Sequence, residues 1–247
     1  KALAEYENSG LHFEPSEISV ADYMDYWYQN YVMINCRLNT QYLYEMIIRN
    51  HIKPALGIYK LRSLTPTILQ EFVNKKYLAG FSKNYLGNII TVLSGSLKYA
   101  VHPLKYIKEN PMQYVKHPKY EYDKKDTNRK LITPNEFQQI IERFPCGSSF
   151  YIPIMIGYYT GCRIGEVTGL TWEDVDLENN IISIDKIIYY RKETKSWYFG
   201  PPKTQSSIRK IEIGKTLIDA LKRCKKWQAE NRLKYGKHFT QQYEVEE

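Results

Sequence analysis

The stretch TGCRIGE, residues 160–166, decides how the second half of this 247-residue chain folds. It follows a nearly continuous apolar run, residues 151–159, which predicts a buried central helix. Gly161 ends that helix and permits a tight turn. Arg163 then leaves the end of a buried element, where a charge is costly without a partner. Glu166, one helical turn further on, is in position to pair with Arg163.

A second motif, PPKTQSSIRKIEI at residues 201–213, places Lys203 at the start of a hairpin strand. A guanidinium offers a planar fork of donors and an ammonium offers a compact point charge. Delivered to one place, Arg163 and Lys203 predict that a phosphate is held between them. Either residue alone is more often an ordinary solvated surface cation, so the order and spacing of the two motifs carry the inference.

Composition favours a polyanionic partner. The formal net charge is +8, the sequence pI is about 9.1, and 43% hydrophobic residues suffice for a packed core. The five histidines and the scattered cysteines lack the spacing of a zinc site or of a disulfide framework, so we expect no metal; the cysteines are Cys36, Cys146, Cys162 and Cys224.

No apolar run approaches twenty residues and no secretory signal opens the sequence, which favours the cytoplasm. The sequence begins without Met, and we therefore expect a piece of a longer protein.

The chain divides into four segments. Residues 1–15 form a polar linker tail, residues 16–109 an all-helical domain, residues 110–130 a basic interdomain linker with two prolines, and residues 131–247 a second domain. In the helical domain a first helix follows Ser19, Asn39 or Thr40 caps a second, Thr65 with Pro66 opens a third, and Ser82 caps a fourth. Pro54 and Gly57 predict a loop over residues 51–64.

The second domain combines helices with a few strands. Thr133 and Glu136 form a capping box with Pro134 at the first helical position, and Thr171 with Asp174 is a further capping pattern. Strands are predicted within residues 181–184, 189–190, 197–199 and 208–213 as an antiparallel meander, followed by a basic helix. The predicted fold class is mainly α with a small antiparallel β-sheet, that is, α+β.

TGCRIGEVTGLTWEDVDLENNIISI, residues 160–184, followed by PPKTQSSIRKIEI, resembles the catalytic domain of tyrosine recombinases. The likeness is to integrases of phages and conjugative transposons in particular. The preceding bundle resembles the core-DNA-binding domain of these enzymes, and the similarity runs from about residue 16 to residue 237. The two motifs together are rather specific, whereas the helical bundle is much less so.

The resemblance implies a DNA strand transferase that needs neither metal nor ATP. In this family a tyrosine attacks a phosphodiester, forms a 3′-phosphotyrosyl link and frees a 5′-hydroxyl. Arg163 matches the first catalytic arginine, which stabilises charge on the phosphate oxygens. Lys203 matches the hairpin lysine that protonates the leaving hydroxyl. Glu166 matches an acidic position of the same motif and is assigned structural support.

The sequence departs from the family pattern after the second motif. Up to Glu247 it shows no His-x-x-Arg box, no second His or Trp of the expected kind, and no tyrosine at the spacing of the nucleophile. Tyr243 is too close to Lys203 to match it. We therefore assign no tyrosine, and we expect this chain to carry the first part of the catalytic domain and to bind DNA without cleaving it.

The expected partner is double-stranded DNA, with self-association on DNA implied by the tetramers of the family. Candidate contacts are Arg37, Lys75, Lys76, Lys83, Asn84, Lys98, Lys124, Lys125, Arg129 and Lys130. Two other functions stay open. One is a non-catalytic DNA-binding regulator that keeps Arg163 and Lys203 as phosphate anchors. The other is a helical interaction module whose charge is incidental.

Overall fold

The computed structural model describes residues 16–120, 131–191 and 194–239, together with the backbone of residues 245–246. The chain divides into two compact units, Lys1–Thr127 and Asn128–Glu247. No helix within the described residues is both long and apolar enough to cross a membrane. The predicted tail, residues 1–15, lies outside the described residues.

The first unit is a helical bundle. Its long buried helix, Lys83–Val101, packs against the other helices through Leu86, Ile89 and Leu93. The helices are α1 (Val20–Trp27), α2 (Met33–Asn35), α3 (Leu38–Ile47), α4 (Lys53–Leu56), α5 (Pro66–Leu78) and α6 (Lys83–Val101); π-helical turns at Tyr28–Val32 and Ile48–Ile52 join α1 to α2 and α3 to α4, and 3₁₀ turns lie at Leu61–Ser63 and Pro111–Tyr114.

Side-chain caps set several of these helix starts. The side chain of Ser19 accepts a hydrogen bond from the amide of Asp22 at the start of α1. In the same way, Thr65 accepts from the amide of Ile68 at the start of α5, and Ser82 accepts from the amide of Tyr85 at the start of α6. These three starts agree with the sequence prediction. The second predicted start was wrong: α3 begins at Leu38 after Arg37, which provides no side-chain cap, so neither Asn39 nor Thr40 is the capping residue.

The predicted loop over residues 51–64 is also largely wrong. The π-helical turn Ile48–Ile52 runs directly into α4, and only after Gly57 does the chain leave the helix. Pro54 lies in the first turn of α4 and, because helical backbone precedes it, it cannot donate an amide hydrogen bond to the turn before it. Burial of Ile52 and Leu56 in the bundle then outweighs the helix-breaking tendency of proline.

The predicted interdomain linker begins too early. Met112 and Val115 are buried against α5 and α6, and the hydroxyl of Tyr120 donates to the carbonyl of Phe81 at 2.8 Å. Residues 110–120 therefore belong to the first unit, because apolar residues spaced along this segment fill a groove of the bundle. The rest of the predicted linker, residues 121–130, lies outside the described residues.

The second unit begins with the predicted capping box, in which Thr133 and Glu136 each bond the backbone of the other. The apolar helix that follows is buried through Tyr151, Met155 and Ile156 and ends at Gly161, whose φ of 66° is left-handed, as predicted. The helices are α7 (Pro134–Arg143), α8 (Tyr151–Thr160), α9 (Ile164–Thr168) and α10 (Lys215–Tyr235), with 3₁₀ turns at Trp172–Asp174, Gln205–Ser207 and Gly236–His238.

The strands of the second unit form two small sheets rather than one meander. One has the order β1-β2-β5 and is antiparallel; the other has the order β3-β4-β6, in which β3 and β4 are antiparallel and β6 runs parallel to β4. The strands are β1 (Val175–Asp176), β2 (Ile181–Ile184), β3 (Ile187–Arg191), β4 (Ser196–Gly200), β5 (Arg209–Glu212) and β6 (Val245–Glu246).

The strand pairing follows the core. β5 pairs with β2, Ile211 opposite Ile182, because this pairing places Ile182 and Ile184 in the core against α8 and α10. The β3–β4 hairpin is thus an insertion in the chain between β2 and β5, which pair with each other in the other sheet. Two of its five cross-strand pairs join aromatic residues, Tyr190 with Trp197 and Tyr189 with Tyr198, and the rings of the second pair are stacked.

A test of the bundle core uses Tyr23, which is fully buried and whose hydroxyl donates to the carbonyl of Ser96. We expect Tyr23→Phe to lower the free energy of unfolding by about 1–3 kcal/mol, because the buried carbonyl loses a partner that water cannot replace. Urea unfolding followed by circular dichroism measures the change. Tyr114→Phe is the matched control: its hydroxyl bonds Glu109 at the surface, so the same deletion should change stability by less than about 0.5 kcal/mol.

Candidate functional site

Arg163 lies at the junction of α8 and α9. After the left-handed Gly161, Arg163 adopts extended backbone, with φ −69° and ψ 152°, and immediately precedes α9. This turn directs the side chain outward, and 77% of it is exposed. A cation in this position is accessible to a large anionic ligand.

Beneath Arg163 lies the carboxylate of Glu166, of which only 3% is exposed. Its Oε2 accepts hydrogen bonds from the backbone amide of Arg163 at 3.0 Å and from Nη2 of Arg209 at 2.9 Å. Its Oε1 accepts from Nη1 of Arg163 at 3.2 Å. The predicted bracing role of Glu166 thus has a defined geometry, in which one acid holds both the backbone and the side chain of Arg163.

These contacts keep Glu166 ionised. The hydrogen bond from Arg209 is the largest influence, and with the two bonds from Arg163 it lowers the pKa of Glu166 to about 2 although burial acts in the opposite direction. The same carboxylate raises the pKa of Arg209. Two guanidiniums therefore share a single negative charge, which leaves a net positive site that can accept a phosphate.

Arg209 is the site residue that the sequence analysis missed. Its Nη1 donates to the carbonyl of Ser207 at 3.0 Å and its Nη2 also approaches Sγ of Cys162 at 3.4 Å. A signal was present in the alternation of β5: Arg209 and Ile211 are half-buried on one face, whereas Lys210 and Glu212 are exposed. A basic residue on the inward face of a strand requires an acidic partner, and Glu166 supplies it.

Lys203 is exposed in the segment that joins β4 to β5, next to the buried Pro202. Arg209 lies six positions further along the chain, so the Cα atoms of the two residues are at most about 22 Å apart even in a fully extended chain. The loop that carries Lys203 is thus anchored at its far end to Glu166. The convergence of Lys203 and Arg163 on one phosphate stays a prediction.

A second buried acid lies in the 3₁₀ turn that follows α9. Asp174, in its capping box with Thr171, receives the ammonium of Lys186, whose Nζ lies 2.5 Å from Oδ1. Lys186 comes just before β3, and Gly169 at the end of α9 packs so closely on β3 that a Cβ would lie 3.0 Å from the Cα of Ile187. The predicted cap at Thr171 therefore also links α9 to the strands.

The predicted DNA contacts in the first unit do not form one cluster. Lys75, Lys83 and Asn84 are exposed around the turn between α5 and α6. Lys98 is exposed at the other end of α6, about 22 Å along the helix from Lys83, and Arg37 is exposed where α3 begins. The remaining four candidates lie outside the described residues: Lys124, Lys125, Arg129 and Lys130.

Lys76 differs from its neighbour Lys75. Its ammonium lies 3.3 Å from Nδ1 of His51 and 5.4 Å from the ring centroids of both Phe72 and Phe81. Burial, followed by the charge of Lys75, lowers the pKa of Lys76. A histidine and two aromatic rings thus surround the ammonium, and a contact of Lys76 with DNA stays a prediction.

Two family models match this chain: "Phage integrase, N-terminal SAM-like domain" at residues 19–77 and "Phage integrase family" at residues 130–237. The chain belongs to the tyrosine recombinase family. The first match covers the bundle from α1 almost to the end of α5, and the second covers the whole stretch that holds Arg163, Lys203 and Arg209.

Individual relatives agree with this assignment. The chain is 27% identical to a tyrosine recombinase XerC-like protein of Caldanaerobacter subterraneus, over 92% of this chain and 60% of that one. It is 30% identical to the ICEBs1 integrase of Bacillus subtilis, over 74% of this chain and 48% of that one. The chain thus spans about half to three fifths of the length of these relatives.

The same fold occurs in the Tn1549 transposon integrase, solved in complex with transposon right end DNA. The superposition has a TM-score of 0.68 and covers 85% of this chain and 66% of the integrase chain, at 23% identity.

A prediction for the site concerns Glu166→Gln. The amide keeps the shape but leaves Arg209 and Arg163 without a counter-charge, so we expect a loss of about 3 kcal/mol in the free energy of unfolding at neutral pH. Because the folded pKa of about 2 lies below the ordinary 4.5, the stabilisation by Glu166 is complete above about pH 4.5 and declines as the pH falls to 2. The difference between the two proteins should therefore shrink over that interval.

Denaturant titrations at a series of pH values measure this difference. Glu212→Gln is the control, since Glu212 is exposed on β5 and faces away from the site. A constant gap between wild type and Glu166→Gln from pH 5 to pH 2 would contradict the assignment of the low pKa to Glu166.

Proposed function

We propose that this chain is part of a site-specific DNA recombinase, an integrase of a phage or transposon, that cleaves and rejoins strands through a phosphotyrosyl intermediate. The observation that carries the proposal is the Arg163–Glu166–Arg209 arrangement: an exposed guanidinium is held from below by a buried carboxylate, which a second guanidinium keeps ionised. Such an arrangement presents a fixed cation to a phosphodiester, and the charge of Arg163 is not fully neutralised because Glu166 is shared with Arg209.

The proposed chemistry is an in-line displacement at phosphorus. The tyrosine hydroxyl loses its proton to solvent and its oxygen bonds to phosphorus, while the bond from phosphorus to the 5′ oxygen breaks, which leaves a 3′-phosphotyrosyl link. Arg163 stabilises the negative charge that develops on the non-bridging oxygens, an effect typically worth a factor of 10²–10³ in rate. Lys203 transfers a proton to the departing 5′ oxygen, which leaves as a hydroxyl. No tyrosine of this chain is assigned as the nucleophile.

Double-stranded DNA is the proposed partner of the first unit. Lys75 and Lys83 lie on either side of the turn that leads into α6, a 19-residue helix whose N-terminus carries the positive end of the helix dipole. Asn84 in the same turn can donate to a phosphate oxygen or a base edge. The Tn1549 transposon integrase, which shares the fold, was solved with DNA, and this supports the same partner here. Self-association on the DNA and a cytoplasmic setting complete the proposal.

The first test is the salt dependence of DNA binding. We expect this chain to bind duplex DNA with an affinity that falls steeply with salt, because each phosphate contact releases counterions and contributes about −0.9 to the slope of log K against log salt. Replacing Lys75 and Lys83 together by alanine should reduce the magnitude of that slope by about 2. Fluorescence anisotropy over a range of salt concentrations gives both slopes.

Lys60→Ala, at another exposed lysine of the first unit, is the control and should leave the slope unchanged. Affinity that is indifferent to salt would contradict DNA binding and favour a helical interaction module.

The second test is strand cleavage by the full-length recombinase on DNA ends of the element that encodes it. We expect Arg163→Ala to lower the rate of covalent adduct formation by about 10²–10³. Lys203→Ala should lose about 10²–10⁴ on ordinary DNA. Activity should recover when the 5′ bridging oxygen is replaced by sulfur, because a thiolate leaves without needing a proton. Gel shifts of trapped adducts on suicide substrates measure these rates.

Lys222→Ala, an exposed lysine on α10, is the control for this assay. The polypeptide of residues 1–247 should bind the same DNA without forming an adduct. A wild-type protein that binds its DNA ends but never cleaves them would instead establish the regulator function, with Arg163 and Lys203 as anchors.

A further inference from the structure

We propose that Arg209 is a positioning residue that holds both predicted catalytic cations in one arrangement: it fixes the acid beneath Arg163 and the loop that carries Lys203. The inference rests on the proposed function, since it assigns a role within that reaction. Arg209 itself need not touch DNA.

The two sides of the Arg209 fork serve different elements. Nη2 donates to Oε2 of Glu166 on α9 at 2.9 Å, and Nη1 donates to the carbonyl of Ser207 at 3.0 Å. Ser207 ends the 3₁₀ turn that follows Lys203. One rigid planar group therefore joins the helix behind Arg163 to the loop behind Lys203.

On the side of Arg163, the two oxygens of the Glu166 carboxylate bind different donors. Arg209 shares Oε2 with the backbone amide of Arg163, whereas Oε1 bonds the side chain of Arg163. Without Arg209, the buried carboxylate can rotate towards Arg163 or take up a proton, and either change alters where the Arg163 guanidinium points.

On the side of Lys203, hydrogen bonds within the loop connect Ser207 to the neighbour of Lys203. The amide of Ser207 donates to the carbonyl of Thr204 at 3.0 Å, and the hydroxyls of Thr204 and Ser207 lie 2.9 Å apart. Thr204 is the direct neighbour of Lys203. The anchoring of Ser207 by Arg209 thus limits how far the backbone at Lys203 can move.

The geometry requires arginine. The two Arg209 bonds use different nitrogens of a planar fork whose spacing is fixed by covalent structure. A lysine at this position supplies one point charge on a flexible stem, so it can neutralise Glu166 but cannot also hold the Ser207 carbonyl in the same geometry. The substitution Arg209→Lys therefore separates the charge of this residue from its ability to hold two partners in a fixed geometry.

The experiment compares Arg209→Gln, Arg209→Lys and the control Arg223→Gln. Arg223 is also a tethered arginine of the second unit, bonded to the hydroxyl of Tyr151 at 3.1 Å, but it contacts neither Glu166 nor the Lys203 loop in any described bond. Two quantities are measured: the pKa of Glu166 by carboxyl ¹³C NMR on this chain, and cleavage by the full-length protein, with the rate constant separated from the DNA Kd.

In Arg209→Gln we expect the proton affinity of Glu166 to rise at least tenfold from its wild-type pKa of about 2. The cleavage rate constant should fall at least tenfold while the DNA Kd stays within threefold. In Arg209→Lys the pKa should stay low and the rate should still fall, because the charge remains and the second bond is lost. Arg223→Gln should change neither quantity.

The proposal is overturned if the pKa of Glu166 stays near 2 in Arg209→Gln, or if folded Arg209→Lys protein cleaves at the wild-type rate. A loss confined to stability, with normal cleavage below the unfolding temperature, also overturns it. If the wild type never cleaves, the proposed function fails and the catalytic role of Arg209 fails with it. The Glu166 titration still reports separately whether Arg209 sets the charge of that acid.

Discussion

The second unit depends on one buried negative charge. Glu166 is almost fully enclosed, and an isolated carboxylate there would be expelled or protonated. It stays ionised because a backbone amide and two guanidiniums surround it, and those partners come from the α8–α9 turn and from β5. The bond that pairs this charge therefore ties β5 to α9. It also holds one end of the loop between β4 and β5, which contains Lys203.

Basic residues of the same type differ in role according to how deeply they are buried. Arg163 and Arg209 both bond Glu166, yet 77% of the first side chain is exposed and only 31% of the second. The exposed arginine is available to a phosphate, whereas the half-buried one maintains the site. Lys75 and Lys76 also differ in the first unit, since Lys75 is exposed whereas Lys76 is partly buried with its ammonium beside His51. A count of basic residues cannot make this distinction.

The sequence predicted the features that are decided locally. The helix starts after Ser19, Thr65 and Ser82 and the end of α8 at Gly161 each depend on a few consecutive residues. The features it missed depend on residues far apart in the chain. Pairing of β5 with β2 rather than β4, and the bond from Arg209 to Glu166 across 43 positions, follow from which apolar and charged faces meet in the folded core. Only the inward position of Arg209 on β5 gave a local indication.

The same arrangement gives a physical reason for a buried acid beneath Arg163, the arginine that we propose binds phosphate. A free surface arginine must be ordered when the ligand arrives, and water must reorganise around the developing charge. Arg163 is already held through its backbone and its side chain, so much of this cost is met on folding. A lone Glu166 would cancel the charge of Arg163 and weaken its attraction for phosphate. Arg209 restores the balance, because two positive charges around one negative charge leave the site cationic while the acid keeps its orienting role. The site therefore needs all three residues: an anchor that is buried, a cation that is exposed, and a second cation that keeps the anchor from neutralising the first.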